Sequence, residues 1–155
     1  MHRVIRILVV AGSAKDAKFK AAGILDNFAN EGVVDFGLFF DDKRASSGWG
    51  RLPVGARLAS KAGAQLLLSG LQVDYESFVK HLATIRQNLA DTEVDALANE
   101  ADFRFHLSLA SKVSFVYADG WGANGLTKDD VVGWLSESAK EPLAHFWVVP
   151  CDVHT

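Results

Sequence analysis

Four short runs carry side chains that can do chemistry together: Gly12-Ser13-Ala14-Lys15, Asp41-Asp42-Lys43-Arg44, Asp119-Gly120-Trp121-Gly122 and Pro150-Cys151-Asp152-Val153-His154. A glycine-serine turn leading into a helix offers backbone N–H groups to a phosphate, and Lys15 adds a positive charge beside Ser13. Lys43 and Arg44 can neutralise the same anion. Asp42, Asp119 and Asp152 are the expected catalytic carboxylates, able to act as a general base or to hold Mg²⁺, which takes few protein oxygens and shares those of a substrate phosphate. This set points to hydrolysis or transfer at a phosphate or glycosyl centre. The spacing matches neither a P-loop nor the dinucleotide fingerprint.

Two of the runs lie beside a repeated tripeptide, Gly48-Trp49-Gly50 and Gly120-Trp121-Gly122. Glycine on both sides frees the backbone to turn and lets a ligand approach closely. Trp49 and Trp121 are therefore expected as stacking platforms for a base or sugar, or else as indoles folded into the top of the core. The order Phe36, Asp42, Gly-Trp-Gly, Val54-Gly55, Leu58 is echoed by Phe115, Asp119, Gly-Trp-Gly, Val132-Gly133, Leu135, at unequal spacings. Cys151, Asp152 and His154 add ligand-type side chains near the carboxyl terminus, without the spacing of a metal site or an established thiolate–base pair.

These loops act together only if the elements bring them to one place. Four nearly continuous apolar runs read as strands, Val4 to Val10, Val33 to Phe40, Val113 to Ala118 and Phe146 to Val149, and such runs suit strands covered on both faces of a parallel sheet. Between them, Lys18 to Ala29 places Phe19, Ala22, Ile24, Leu25 and Phe28 near one stripe and stops at Asn30-Glu31-Gly32. A second helix is expected over Pro53 to Ser69, with Gly70 as punctuation. Asp74 then caps a third, carrying Tyr75, Phe78, Val79, Leu82, Ile85 and Leu89 at spacings of three and four.

Thr92 to Ala110 reads as a helix opened by Thr92-x-x-Asp95, although Phe103, Phe105, Leu107 and Leu109 alternate as a strand would. Within it, Asp102-Phe103-Arg104-Phe105-His106 resembles over five residues a stretch of the metal-binding effector domains of GntR-type regulators. Those domains are all-helical and carry further histidines, so the resemblance implies no family for a chain with several strands; Asp102 and His106 are simply one helical turn apart. A last helix over Leu126 to Ala139 is capped by Thr127.

The expected fold is a single α/β domain over residues 1–155, three-layered, with a mainly parallel sheet of four or five strands flanked by helices. In such sheets ligands bind beyond the carboxyl ends of the strands, where the four runs would gather. About half of the residues are apolar and 23% are charged, as in a soluble globular protein. One cysteine allows no internal disulfide, and the apolar run near Met1 is too short for a signal sequence, so a cytoplasmic protein is expected, with no membrane partner.

Residues 1–62 hold ten Lys/Arg against six Asp/Glu, and residues 63–155 six against thirteen. The mildly basic first part suits an anionic ligand but is too scattered for nucleic acid. The functional expectation is binding of a small anionic metabolite, a nucleotide or sugar phosphate. The alternatives are an assembly subunit, such as a homo-oligomer in which the Gly-Trp-Gly loops, Trp134 or Trp147 are covered by another chain, and a ligand-sensing regulatory domain.

Overall fold

The computed structural model describes residues 2–45, 50, 52–112, 115–121 and 125–155. Its elements in chain order are β1 (His2–Val10), α1 (Ala14–Asn30), β2 (Phe36–Phe39), β3 (Ala56–Arg57), α2 (Lys61–Asp91), α3 (Val94–Leu97), α4 (Ala101–Lys112), β4 (Val116–Ala118), α5 (Lys128–Glu137) and β5 (Phe146–His154), with a 3-10 turn at Leu143–His145. The fold is mixed α/β around an open five-stranded sheet. Two compact units make up the chain: residues 1–71 with 114–155, which hold the sheet, and residues 72–113, which are helical.

Strand order is β2-β5-β1-β4, with β3 also pairing β5. Only β1 and β4 pair in parallel; β5 runs antiparallel to β1, β2 and β3. The sheet is therefore mostly antiparallel, where a mainly parallel one is expected from the sequence. Continuous apolarity reports that both faces of a strand are covered, and β1 and β5 are covered on both faces; it carries no information about direction.

The final strand is also longer than expected and does not stop at Pro150. On β1, the Arg6 N–H donates to the Phe115 carbonyl at 2.8 Å, so the Arg6–Pro150 pair exchanges no ladder bonds. The proline nitrogen then faces the far side of β5, between Val148, where β3 pairing ends, and Cys151, where β2 pairing begins. A residue without an N–H fits that gap.

Alternate residues of the sheet feed two cores. Ile5, Ile7 and Val9 with Val149, Cys151 and Val153 pack against Ala17, Ala21, Leu25 and Phe28 of α1. Leu8, Val116, Ala118 and Val148 pack with Leu66 and Leu67 of α2 and Val131 and Trp134 of α5. The buried face of α1 thus differs from the expected stripe: alanines permit close approach to the sheet, and Phe19 is exposed. The end of α1 follows the sequence signal, with Gly32 at φ +70° and Val33 N–H bonding the Phe28 carbonyl.

The helix expected over Pro53 to Ser69 begins only at Lys61, because Ala56–Arg57 is taken by pairing with β5. It then runs unbroken through Gly70 and Asp74 to Asp91. The glycine serves packing here. A Cβ at Gly70 would sit 2.8 Å from Arg6 Cδ and 2.9 Å from Val116 Cγ2. In the helical unit, residues 101–112 form α4, and the alternation of Phe103 to Leu109 makes no strand. Glu93, with no side-chain bond, occupies the N-cap of α3, so the Thr92-x-x-Asp95 box does not form. Thr127 does cap α5, through a reciprocal box with Asp130.

Candidate functional site

Because β1, β2 and β4 run in the same direction, the segments that follow them leave from one edge of the sheet. This brings Gly12–Lys15, Asp41–Arg44 and Asp119–Trp121 to the same end. The expected convergence of all four runs is corrected for the fourth: β5 runs the other way, and Asp152 and His154 lie at the opposite end. Trp49, with Gly48, lies outside the described residues, as does Gly122.

At the gathered edge, local geometry decides what each side chain can do. Ser13 is the N-cap of α1 and its Oγ accepts from Asp16 N–H at 3.2 Å, while the Asp16 carboxylate accepts from Gly12 N–H at 3.2 Å. Two of the N–H groups that a phosphate would use are thereby engaged by the protein itself, Gly12 N–H by the Asp16 carboxylate and Asp16 N–H by the Ser13 hydroxyl. Lys15 is exposed beside them, and Lys18 pairs with Asp41 while lying 5.1 Å from the centre of the Phe39 ring. Lys20 Nζ donates to the Val10 carbonyl at 2.7 Å, which brings its amine to the end of β1.

Asp42 and Arg44 are committed to each other. The Asp42 carboxylate accepts from Arg44 Nε at 3.1 Å, from a terminal guanidinium nitrogen at 2.8 Å and from Arg44 backbone N–H at 2.9 Å. The Arg44 side chain and then its backbone N–H hold the Asp42 carboxyl at about 2, well below the usual carboxylate range. Such a group accepts hydrogen bonds but is a poor base at neutral pH. Lys43, between them, is exposed.

After β4, Trp121 N–H bonds the Ala118 carbonyl at 3.2 Å, closing a turn with Gly120 at φ +82°, a conformation that favours glycine. The Trp121 indole is half-buried against the second core and lies over Gly133 of α5. Asp119 is exposed, and its backbone carbonyl accepts from Trp134 Nε1 at 3.2 Å. An open groove of about 410 Å³ is lined by Gly120, Trp121, Gly125, Asp130 and Glu137. Its two carboxylates contrast with the amines near β1 and β2. Trp134 and Trp147 are core residues, the latter donating to the Ala11 carbonyl at 2.9 Å.

At the opposite end, Asp152 is fully buried within β5, and its Oδ1 is 3.1 Å from Nδ1 of His2, whose side chain is 44% exposed. Next to it, His154 Nδ1 lies 2.7 Å from Asp35 Oδ2, and the Phe36 ring stacks on His154 with planes 4° apart. The two imidazoles are 5.2 Å apart, centre to centre. A buried carboxylate that holds one imidazole nitrogen fixes the ring's tautomer and presents the other nitrogen outward, an acid–base arrangement.

His2, Asp35 and Phe36 are absent from the sequence-based set, since their register with Asp152 and His154 depends on strand pairing. A continuous Phe146–His154 strand read through Pro150 would have been the signal. Cys151, one residue away, points into the first core, and burial pushes its thiol far up, so it is no thiolate nucleophile.

In the helical unit, His81 and His106 join α2 to α4, with Nδ1 atoms 2.8 Å apart, and Asp102 Oδ1 is 3.7 Å from His106 Nε2. Among the described residues no three His, Cys, Asp or Glu side chains form a group able to hold a metal ion. No described helix is long and apolar enough to cross a membrane.

The chain belongs to the family of the domain of unknown function DUF7995, which matches residues 1–155. No curated protein and no solved structure matches it.

Proposed function

We propose that the chain binds a small anionic metabolite, a nucleotide or a sugar phosphate, at the edge where β1, β2 and β4 end. One observation carries this reading: three segments distant in sequence, Ser13–Lys15, Asp41–Arg44 and Asp119–Trp121, leave the sheet from the same edge. Lys15 and Lys43 are the anion contacts, since Arg44 is already balanced by Asp42. Trp121 supplies a half-buried ring at the border of the site. Titration with ATP and with glucose 6-phosphate, followed by calorimetry, tests it. The double variant Lys15→Ala, Lys43→Ala should weaken binding by at least about tenfold, as expected from losing charge-assisted hydrogen bonds. Binding of both probes at unchanged affinity in that variant would sink the reading.

A second reading, that the protein is a hydrolase or transferase, is favoured by the Asp152–His2 pair. His2 is then the proton-transfer group and Asp152 its positioning residue. His2→Gln should abolish phosphatase or glycosidase turnover of chromogenic substrates without changing the binding measured above. Turnover that survives His2→Gln argues against this reading alone.

A further inference from the structure

The helical unit leaves a large apolar face uncovered. On α2, Tyr75 is 64% exposed, Phe78 48%, Val79 43% and Leu89 51%, with Leu82 half-buried among them. At about 100° per residue these five positions spread over an arc of roughly 100°, the width that an amphipathic helix usually buries. His81, bonded to His106, marks the neighbouring arc as the one α4 occupies, and the buried Ile85 follows one turn later on that side. The exposed arc is therefore a second apolar face of the same helix.

We infer that this face is covered by a second copy of the chain, giving a twofold dimer through residues 75–89. Three observations select that occupant. First, Tyr75, Leu82 and Leu89 of the exposed arc recur at intervals of seven, a pattern symmetric about Leu82. An antiparallel copy sets Tyr75 against Leu89 of the other chain and Leu82 against its own equivalent, the self-complementarity that a twofold interface requires.

Second, the unit of residues 72–113 is of a size that seldom supports a core alone, and its buried large apolar residues among those described are Ile85 and Leu97. A copy of the same chain is always at hand to complete it. Third, the arc includes one charge, Arg86, so it offers little to a strongly acidic or basic partner. At these exposures the five side chains present on the order of 400 Å². Two copies with their flanking residues then bury about 1,000 Å², the lower limit of a specific interface, which implies a dimer of modest affinity.

Sedimentation equilibrium of the full chain over micromolar concentrations is the test, with Phe78→Glu and with Phe19→Glu as an exposed apolar control on α1. The wild type and Phe19→Glu should dimerise, and Phe78→Glu should raise the dissociation constant at least tenfold while keeping its far-ultraviolet circular dichroism. As a readout independent of that variant's folding, Leu82→Cys should cross-link to itself under mild oxidation, whereas native Cys151, being buried, should not. A wild type that stays monomeric throughout overturns the inference, as does a dimer that Phe78→Glu leaves intact and Leu82→Cys fails to cross-link.

Discussion

The properties of single residues here follow from their nearest partners more than from their type. Asp42 has the side chain of a general base, yet three donor contacts from Arg44 make it a fixed anion. Replacing Arg44 with Ala should return the Asp42 carboxyl from about 2 toward its ordinary value near 3.8, measured by carbon-detected NMR titration. An unmoved titration would show that another group holds it. The pair is exposed, so no change in global stability is expected. Cys151 is the converse, a reactive type made inert by burial. Alkylation of the native protein should be slow and should accelerate in parallel with unfolding by urea; rapid alkylation of folded protein would contradict its position in the core. Neither outcome was legible in the sequence, because an Asp two residues before an Arg, or a Cys beside an Asp, is compatible with both paired and free states.

At the scale of elements, the signals that end α1 and open α5 were readable, whereas the start of α2 at Lys61, its passage through Asp74 and the unformed Thr92-x-x-Asp95 box were not. Gly32 after α1 and Thr127 at the start of α5 are local devices whose parts lie within a few residues, so the sequence contains them whole, whereas α1 opens at Ala14 with Ser13 as its cap, earlier than the Lys18 expected. Gly70 looks like the same kind of signal but answers to Arg6 and Val116, which are distant in sequence. The contrast with Gly23 in α1, where an added Cβ meets nothing within 4 Å, makes a test. Gly23→Ala should stabilise by up to about 1 kcal/mol through helix propensity. Gly70→Ala should instead destabilise by roughly 1–3 kcal/mol, because overpacking outweighs that gain. Urea denaturation of both variants checks the signs. Equal stabilisation of the two would mean that α2 stands further from the sheet than the contacts at Gly70 require.

For the molecule as a whole, direction of the last strand decides where the chemistry lies. Continuous apolar runs located β1 and the first half of β5 as buried strands, but only pairing shows that β5 inserts antiparallel between β1 and β2, which carries Asp152 away from Asp119 and toward His2. The amine-bearing edge was therefore legible in outline, and the histidine end was not.

The helical unit of residues 72–113 has its own sensitivity, set by the His81–His106 contact. A 2.8 Å approach of two ring nitrogens needs one donor and one lone pair, so it is lost when both rings are protonated. Burial first, then the charges of His106 and Lys80, lower the His81 pKa from 6.5; Asp102, on the other side of His106, is the nearby carboxylate. A lowered imidazole pKa means that the opened state binds more protons than the closed one. Stability of this contact therefore rises with pH and falls as pH drops below the ordinary imidazole range. Hydrogen exchange at about pH 7.5 and about pH 5.5, corrected for intrinsic rates, should show α4 amides losing protection at the lower pH while β1 and β5 keep theirs. His81→Gln should flatten that difference, since an amide does not titrate. If α4 loses protection in step with β1 and β5, or if His81→Gln leaves the pH dependence intact, the two histidines are not its source.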